Sequence, residues 1–309
     1  MKLIPLICIL GPTGIGKSKF ALEFAQFNRG EIISADSRQI YKGLNIGTET
    51  PDENELKTVT HHLINCLDPD QEYGLANFLE MATTKILEII GRGNLPIVVG
   101  GTNQYLFALI NNWNVPKVAP DKEFRKQLEE KAKTQGSLSI YEDLVAQDPK
   151  AAEAIDYRNI RRVIRALEIQ KHQPKSVSDT LADNNIRAYA VAFTTPREEL
   201  YKLIDQRVDK MISDGWVGEV QKLIDDGYDA TLPSMSSIGY AEIIEHLRSD
   251  SELEDVIKKI KTKTHKLARN QYVWLRKADW VSWFESSNEG HNQANQYLND
   301  QLKLHASKD

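Results

Sequence analysis

Apolar and polar positions along the first third of the chain predict strands and helices by turns. Leu6–Leu10 is a short unbroken apolar run, with Pro5 at its start, where a missing backbone N–H costs a strand least. A glycine-rich turn follows, then a helical stretch over Lys17–Phe27. Glu31–Ala35 reads as a second strand, ending at Asp36. Over Ala76–Ile90 the residues Phe78, Leu79, Ala82, Ile86, Ile89 and Ile90 recur at helical spacing. Gly91, Gly93 and Pro96 break that pattern before a third buried strand, Pro96–Val99. Strand–helix–strand alternation of this kind predicts a parallel sheet covered by helices.

The pattern then changes. Pro116–Pro120 reads as a linker, and Asp121–Lys171 as helices without a strand. After a polar stretch, Ser176–Asn185, an apolar strand returns at Ala188–Phe193. Arg197–Arg276 is again mostly helical, and Trp280–Phe284 is the last strand. An α/β core over 1–115 and 189–309, interrupted by an all-helical insertion at 116–188, is therefore expected. No internal repeat or low-complexity tract interrupts it.

Composition narrows the class. A chain of 309 residues calls for one large or two joined domains. With 41% hydrophobic and 27% charged residues it is an ordinary globular protein that can bury a core. No stretch approaches the roughly 18 consecutive apolar residues of a membrane span. Met1-Lys2-Leu3-Ile4-Pro5 runs directly into a strand, without a secretory cleavage pattern, so a cytoplasmic protein is expected. The two cysteines, Cys8 and Cys66, cannot build a Cys-rich zinc site. His61 and His62 sit in a loop before an apolar run, with no cluster at ligand spacing, and read as structural.

The net charge of −5 argues, taken alone, against a nucleic-acid partner. Its distribution argues otherwise. Ile257–Ala278 holds no acidic residue but eight basic ones: Lys258, Lys259, Lys261, Lys263, Lys266, Arg269, Arg276 and Lys277. Such a segment makes a local anion-facing surface that total charge hides.

The strongest local signal is Gly11-Pro12-Thr13-Gly14-Ile15-Gly16-Lys17-Ser18, which fits GxxxxGK[ST] between an apolar strand and a helix. Glycines let the backbone wrap phosphate oxygens, and N–H groups at the helix start point at the anion. Lys17 adds a full charge, and the Ser18 hydroxyl is placed to ligate magnesium. The fold expected is thus P-loop NTPase-like. The loop marks a site for a pyrophosphate-sized anion and does not say which compound carries it.

Asp36-Ser37-Arg38-Gln39-Ile40-Tyr41 follows the second strand, at the carboxyl edge where open α/β sheets place ligands. On spacing alone Asp36 caps the next helix, holds a water on magnesium, or acts in catalysis. Here the sequence resembles the tRNA dimethylallyltransferase family, bacterial type. The resemblance rests on the P-loop with Thr13, the Asp36–Tyr41 block, Gly47-Thr48 with Pro51, and His61-His62-Leu63-Ile64. Further on it includes Gly100-Gly101-Thr102 with Tyr105, Arg161-Arg162-x-x-Arg165-Ala166-Leu167-Glu168, and Gly215 with Glu219-Val220. Ile238-Gly239-Tyr240 and Gln271-x-x-Trp274-x-Arg276 complete the set. Ser18 stands where many members have Thr, Ala241 where Lys is common, and Arg269-Asn270-Gln271 replaces Lys-Arg-Gln.

The resemblance implies a magnesium-dependent prenyl transfer. The P-loop, Gly11 to Ser18, would hold the pyrophosphate of dimethylallyl diphosphate in place of ATP, and the five-carbon unit would pass to the exocyclic amine of an adenine beside the anticodon. Asp36 would orient that amine and take its proton. The loop N–H groups, Lys17 and a magnesium on Ser18 would stabilise charge developing on the leaving oxygen. Arg207 matches the family arginine that reaches the diphosphate; otherwise it is a surface partner of Asp205 or Asp209. Thr13 and Thr102 match channel residues, though either is otherwise a plain turn residue.

Contacts to tRNA are implied for Asp36, Ser37, Arg38, Gln39, Thr102, Arg125, Arg161, Arg162, Val163, Ile164, Arg165, Arg269 and Gln271. The residues themselves add one argument. Arg158, Arg161, Arg162 and Arg165 are spaced to share one helix face, opposite Ile160, Val163, Ile164 and Leu167. A solvated helix usually mixes signs there, so an RNA-backbone surface is the better reading. Tyr272 and Trp274 could stack on bases or merely pack. Phosphate contacts supply affinity and salt sensitivity, and base choice requires drawing one adenine out of a single-stranded loop. A monomer is expected. The rivals are an adenylate isopentenyltransferase with a free nucleotide acceptor, a P-loop small-metabolite kinase, and a nucleotide-gated RNA-binding switch.

Overall fold

A computed structural model describes residues 3–172, 185–249 and 251–307. Its first part runs β1 (Ile4–Leu10), α1 (Lys17–Phe27), β2 (Gly30–Ser34), α2 (Glu53–Thr58), β3 (His61–His62), α3 (Leu75–Gly91), β4 (Leu95–Val99) and α4 (Asn103–Ile110). Then come α5 (Lys122–Gln135), α6 (Ser137–Gln147), α7 (Pro149–Glu153) and α8 (Ile160–His172). The last part runs β5 (Ile186–Thr194), α9 (Arg197–Ser213), α10 (Trp216–Asp225), α11 (Tyr240–Leu247), α12 (Leu253–Leu275), β6 (Val281–Glu285) and α13 (Asn288–Ala306).

The chain divides into two compact units, Met1–Asn111 with Asn184–Asp309, and Asn112–Asp183. The sequence pattern places the insertion at 116–188, a few residues later at both ends. Of the polar stretch Ser176–Asn185, all but Asn185 lies outside the described residues. No helix among the described residues is long and apolar enough to cross a membrane.

In the first unit the described strands form one parallel six-stranded sheet of order β3-β2-β4-β1-β5-β6. The edge strand β3 departs from expectation: His61 and His62 are not in a loop but pair with Ile32 and Ile33. Their histidine side chains hid a strand too short to show alternation. His62 Nε2 lies 2.6 Å from buried Glu31, which also holds Arg92 and Asn94. Burial pushes the Glu31 carboxyl up, but Arg92, Asn94 and His62 outweigh it and hold it down at about 2.

Alternation along β1 feeds two apolar layers, because successive strand side chains point to opposite faces. Leu6, Cys8 and Leu10 enter a core with Phe78 and Ile86 of α3, Leu106 of α4 and Trp216 of α10. Ile7 and Ile9 face Phe20 and Phe24 of α1, Ile204 of α9 and Leu298 of α13. Burial pushes the Cys8 thiol well above its usual range, which keeps it an inert hydrophobe. All the strands run the same way, so the loops after β1, β2 and β4 emerge side by side at one carboxyl edge. These three loops carry the phosphate motif, the Asp36 block and Gly100-Gly101-Thr102. Topology alone brings them together.

The second unit closes on its own small core of Leu128, Ile140, Leu144, Val163, Ile164 and Leu167. Fully buried Glu168 accepts Nε and Nη2 of Arg125, each at 2.8 Å, the Asp121 N–H at 2.7 Å, and Arg165 Nη1. Burial raises its carboxyl, and Arg125, the Asp121 N–H and Arg165 together override that and bring it to about 2.

Candidate active site

The phosphate motif turns at Gly16, whose φ of +89° puts it in the left-handed region that glycine enters without a Cβ clash. Gly16 is also the N-cap of α1 and offers no side chain to bond its first N–H groups. Those amides are left for an anion, and the helix dipole adds to the attraction. Lys17 Nζ folds back to donate to the Pro12 carbonyl at 2.7 Å. Burial pushes its ammonium down to about 8, the Arg207 guanidinium adds to that push, and Asp36 and Glu49 oppose it. Two cations thus share one pocket, which favours an anion between them.

Asp36 uses one oxygen locally: Oδ1 accepts the N–H of Arg38 at 2.8 Å and of Gln39 at 3.4 Å. No helix follows directly, so Asp36 is not a helix cap: these bonds close a turn over residues 37–40, with α2 starting only at Glu53, and they occupy only half of the carboxylate. Ser37 N–H donates to Thr102 Oγ1 at 3.2 Å, tying the loop after β2 to the loop after β4.

Arg207, on α9, donates from Nη1 to Thr13 Oγ1 at 2.7 Å and lies 3.2 Å from Glu49 Oε2. The partners of a surface reading are engaged elsewhere: Asp205 with His265, and Asp209 with Lys261. Glu49, at φ +53°, is a carboxylate that sequence inspection missed, since nothing in Gly47-Thr48-Glu49-Thr50 marks it. Gln39 Nε2 holds its loop by donating to the carbonyls of Thr48 and Glu49, both at 3.1 Å.

Two adjoining cavities meet here. The smaller, about 120 Å³, is lined by Lys17, Ser18, Asp36, Glu49 and Arg207. The larger, about 550 Å³, is lined by Asp36, Thr102, Met211, Trp216, Ile238 and Trp274, so it couples a polar wall to an apolar one. Thr13, Asp36, Arg207 and Gln271 line both.

Residues 39–278 match the family described as IPP transferase, and residues 4–66 the one described as isopentenyl transferase. The tRNA dimethylallyltransferase of Thermomicrobium roseum is 41% identical over 288 residues, spanning 93% of this chain and 88% of its own length. That of Herpetosiphon aurantiacus is 43% identical over 274 residues, 88% of this chain and 87% of its own.

The chain belongs to the IPP transferase family.

Solved structures agree. The tRNA isopentenylpyrophosphate transferase of Bacillus halodurans is similar with a TM-score of 0.71 at 36% identity, covering 97% of this chain and 99% of that one. A eukaryotic dimethylallyltransferase acting on tRNA gives a TM-score of 0.78 at 30% identity, covering 98% and 78%.

The scattered motif residues Gly47, Glu219, Gly239 and Tyr240 meet beneath the larger cavity. Glu219 accepts the N–H groups of Asn45, Ile46 and Gly47 at 2.8, 2.7 and 3.2 Å, and the Tyr240 hydroxyl at 2.7 Å. Trp216 packs against Gly47 and Gly239 so closely that a Cβ on either would fall within 2.1 Å of its ring. This knot sets the height of the loop that carries Thr48 and Glu49.

Several expected RNA contacts sit differently from the sequence reading. Val163 and Ile164 are core residues of the second unit, 0% and 4% exposed, and their side chains cannot reach a partner. Arg125 and Arg165 are committed to Glu168. Arg158 precedes α8 and pairs with Asp156 at 2.6 Å, so the row on the helix face keeps Arg161 and Arg162 exposed. The acidic residues that break the row, Asp156 and Glu168, flank the window in which none occurs. In the first unit Arg38 Nη1 donates to the Pro233 carbonyl at 2.7 Å, and Gln271 is buried.

The basic segment is likewise less free than its composition indicates. On α12, Lys258, Lys259, Lys261 and Lys263 pair with Asp255, Glu245, Asp209 and Glu242, three of them on other helices. Lys266, Arg269 and Lys277 remain exposed without an ion-pair partner among the described residues. Tyr272 stacks on Trp283 at 6.0 Å and Trp274 meets Phe107 edge-on at 5.6 Å, so both are packed.

Proposed function

We propose that this chain transfers the dimethylallyl group of dimethylallyl diphosphate to the exocyclic amine of the adenine next to the anticodon of tRNA, releasing diphosphate. The observation that carries this reading is the shared wall: Asp36 and Arg207 line both the cavity of the phosphate loop and the larger, partly apolar one. A phosphate site used for phosphoryl transfer needs no apolar chamber behind it. A prenyl donor needs one for its tail, and the tRNA enzymes among its relatives supply the acceptor class.

The diphosphate lies against the free amides at the start of α1, with Lys17 and Arg207 on either side. Removing it from an allylic carbon builds negative charge on the departing oxygen, and preorganised cations stabilise that charge where it develops. The adenine amine is a poor nucleophile, because its lone pair is delocalised into the ring. The Asp36 oxygen not used in the turn accepts its proton as the new C–N bond forms. Thr102, bonded to the Ser37 N–H, helps keep the Asp36 loop in register with the acceptor wall.

A magnesium ion fits the donor set. The Ser18 hydroxyl forms no hydrogen bond among the described residues and opens on the smaller cavity, whose lining also includes the carboxylates of Asp36 and Glu49, oxygen donors of the kind a hard cation takes. Ser18 would hold the ion together with the diphosphate, and bound there it neutralises part of the leaving group's charge. Exposed Arg161 and Arg162 in one unit, and Lys266 and Arg269 in the other, supply phosphate contacts to the tRNA. The enzyme acts as a monomer in the cytoplasm.

The test is product analysis. Incubation with dimethylallyl diphosphate, magnesium and unmodified tRNA should yield prenylated adenine by mass spectrometry. Prenylated AMP from a free AMP acceptor, or phosphoryl transfer from ATP, would replace this reading.

A further inference from the structure

Gln271 stands near the end of α12, in a helix otherwise rich in surface cations, yet it is only 7% exposed. Its side-chain amide spans the seam between the walls of the site. Oε1 accepts the Thr13 N–H of the phosphate loop at 2.9 Å, and Nε2 donates to the Gly101 carbonyl at 2.9 Å. Its own backbone carbonyl accepts Nδ2 of buried Asn103 at 2.9 Å. One residue is thus bonded to the donor loop on one side and to the turn after β4 on the other. The fit is close, since a Cβ on Gly101 would lie 2.4 Å from Gln271 Nε2.

Both amide partners are main-chain groups, so the brace sets backbone positions. Thr13 is held twice, through its N–H by Gln271 and through its hydroxyl by Arg207. A side chain that fixes two walls at once controls the distance between what each wall carries. An error near 1 Å in that distance costs on the order of a hundredfold in rate.

We propose that Gln271 is a positioning residue that holds the phosphate-loop wall and the acceptor wall at a fixed separation and keeps water out of the seam between them. This rests on the prenyl-transfer reading. Without the amide, the Thr13 N–H and the Gly101 carbonyl lose their partners in a partly buried place, and water is the available replacement. Water at that point competes with the adenine amine: its oxygen bonds to the allylic carbon, the C–O bond to diphosphate breaks with the electron pair leaving on diphosphate, and one water proton passes to solvent while the other stays on the dimethylallyl alcohol. The brace therefore governs both the rate of transfer and its ratio to donor hydrolysis.

Two variants disturb the brace from opposite sides. Gln271→Met keeps the length and removes both hydrogen bonds, while Gly101→Ala leaves Gln271 in place and pushes its amide aside. Each should lower kcat for tRNA prenylation by roughly ten- to a hundredfold. The Kd for dimethylallyl diphosphate should stay within about threefold, because the loop amides and Lys17 remain. Release of dimethylallyl alcohol per transfer should rise severalfold, and the thermal midpoint should stay near wild type. A purely packing role instead lowers the midpoint and the active fraction, with kcat per active site and the hydrolysis ratio unchanged; that result overturns the proposal. If Gln271→Met does not fold, Gly101→Ala decides alone. Wild-type protein that transfers no prenyl group sinks the underlying reading as well, whereas active wild type with unaffected variants sinks only this inference.

Discussion

Arg207 and Thr13 lie 194 positions apart in the chain and are joined by a 2.7 Å hydrogen bond from Nη1 to Oγ1. The bond places a guanidinium over the phosphate loop, where the helix amides and Lys17 already create a demand for an anion. Glu49, 3.2 Å from the same nitrogen, partly answers that demand.

Removing the guanidinium therefore weakens the donor more than the acceptor. Charge-assisted hydrogen bonds contribute about 1.5–3 kcal/mol, so Arg207→Ala should raise the Kd for dimethylallyl diphosphate by roughly ten- to a hundredfold. Arg207→Lys should recover little, since an ammonium cannot keep Thr13 and a diphosphate in one planar fork. Titration of each variant with the diphosphate checks this, and the tRNA affinity should not move.

Lys17 makes donor binding sensitive to pH. Burial, then Arg207, holds its pKa at about 8, so it loses its proton as the pH rises through that value. A bound diphosphate favours the charged form and raises the pKa again. Binding near pH 8 to 9 should take up a proton, and affinity should fall by up to about tenfold per unit above pH 8. Calorimetry in buffers of different ionisation heats measures the uptake, and Lys17→Ala should abolish it along with most of the affinity. The same depression costs stability at neutral pH: because the unfolded lysine binds its proton more tightly, this group makes the fold gain stability between about pH 8 and its ordinary value of 10.5.

Exposed Arg161 and Arg162 should act through phosphate contacts. Replacing both by Ala should weaken tRNA uniformly and lower the slope of log affinity against log salt by about 2, one for each phosphate no longer neutralised. Dimethylallyl diphosphate affinity should be unchanged. Filter binding over a salt series gives the slope.

Much of this architecture was written in the local pattern. Short, mostly apolar runs marked five strands, because a sheet covered on both faces leaves little polar alternation to obscure them. The phosphate loop and Asp36 were legible for a related reason: each follows a strand directly, and the parallel sheet delivers both to one edge. The two-residue strand β3 was too short to carry a period, and its histidines looked like loop residues. The supporting groups were hidden for a different cause. Glu219 reaches backbone amides 172 to 174 positions away, Gln271 an amide 258 away, and Glu49 acts only once Arg207 has been folded over it. Charge runs misled most. Spacing showed four arginines and eight basic residues, but could not show that Glu168, Asp209, Glu242 and Glu245 sit opposite several of them.

The central claim is a division of labour across one wall, with the phosphate loop gripping the donor and Asp36 serving the acceptor amine. Asp36→Asn tests it most directly, because the amide oxygen can still accept the N–H groups of Arg38 and Gln39 while the proton acceptor is gone. Single-turnover transfer to unmodified tRNA from a saturating donor complex should slow by roughly two to four orders of magnitude, with the Kd for dimethylallyl diphosphate within a few fold of wild type. Near-normal transfer by the Asn variant, or a rate loss fully explained by weaker donor binding, would contradict the account.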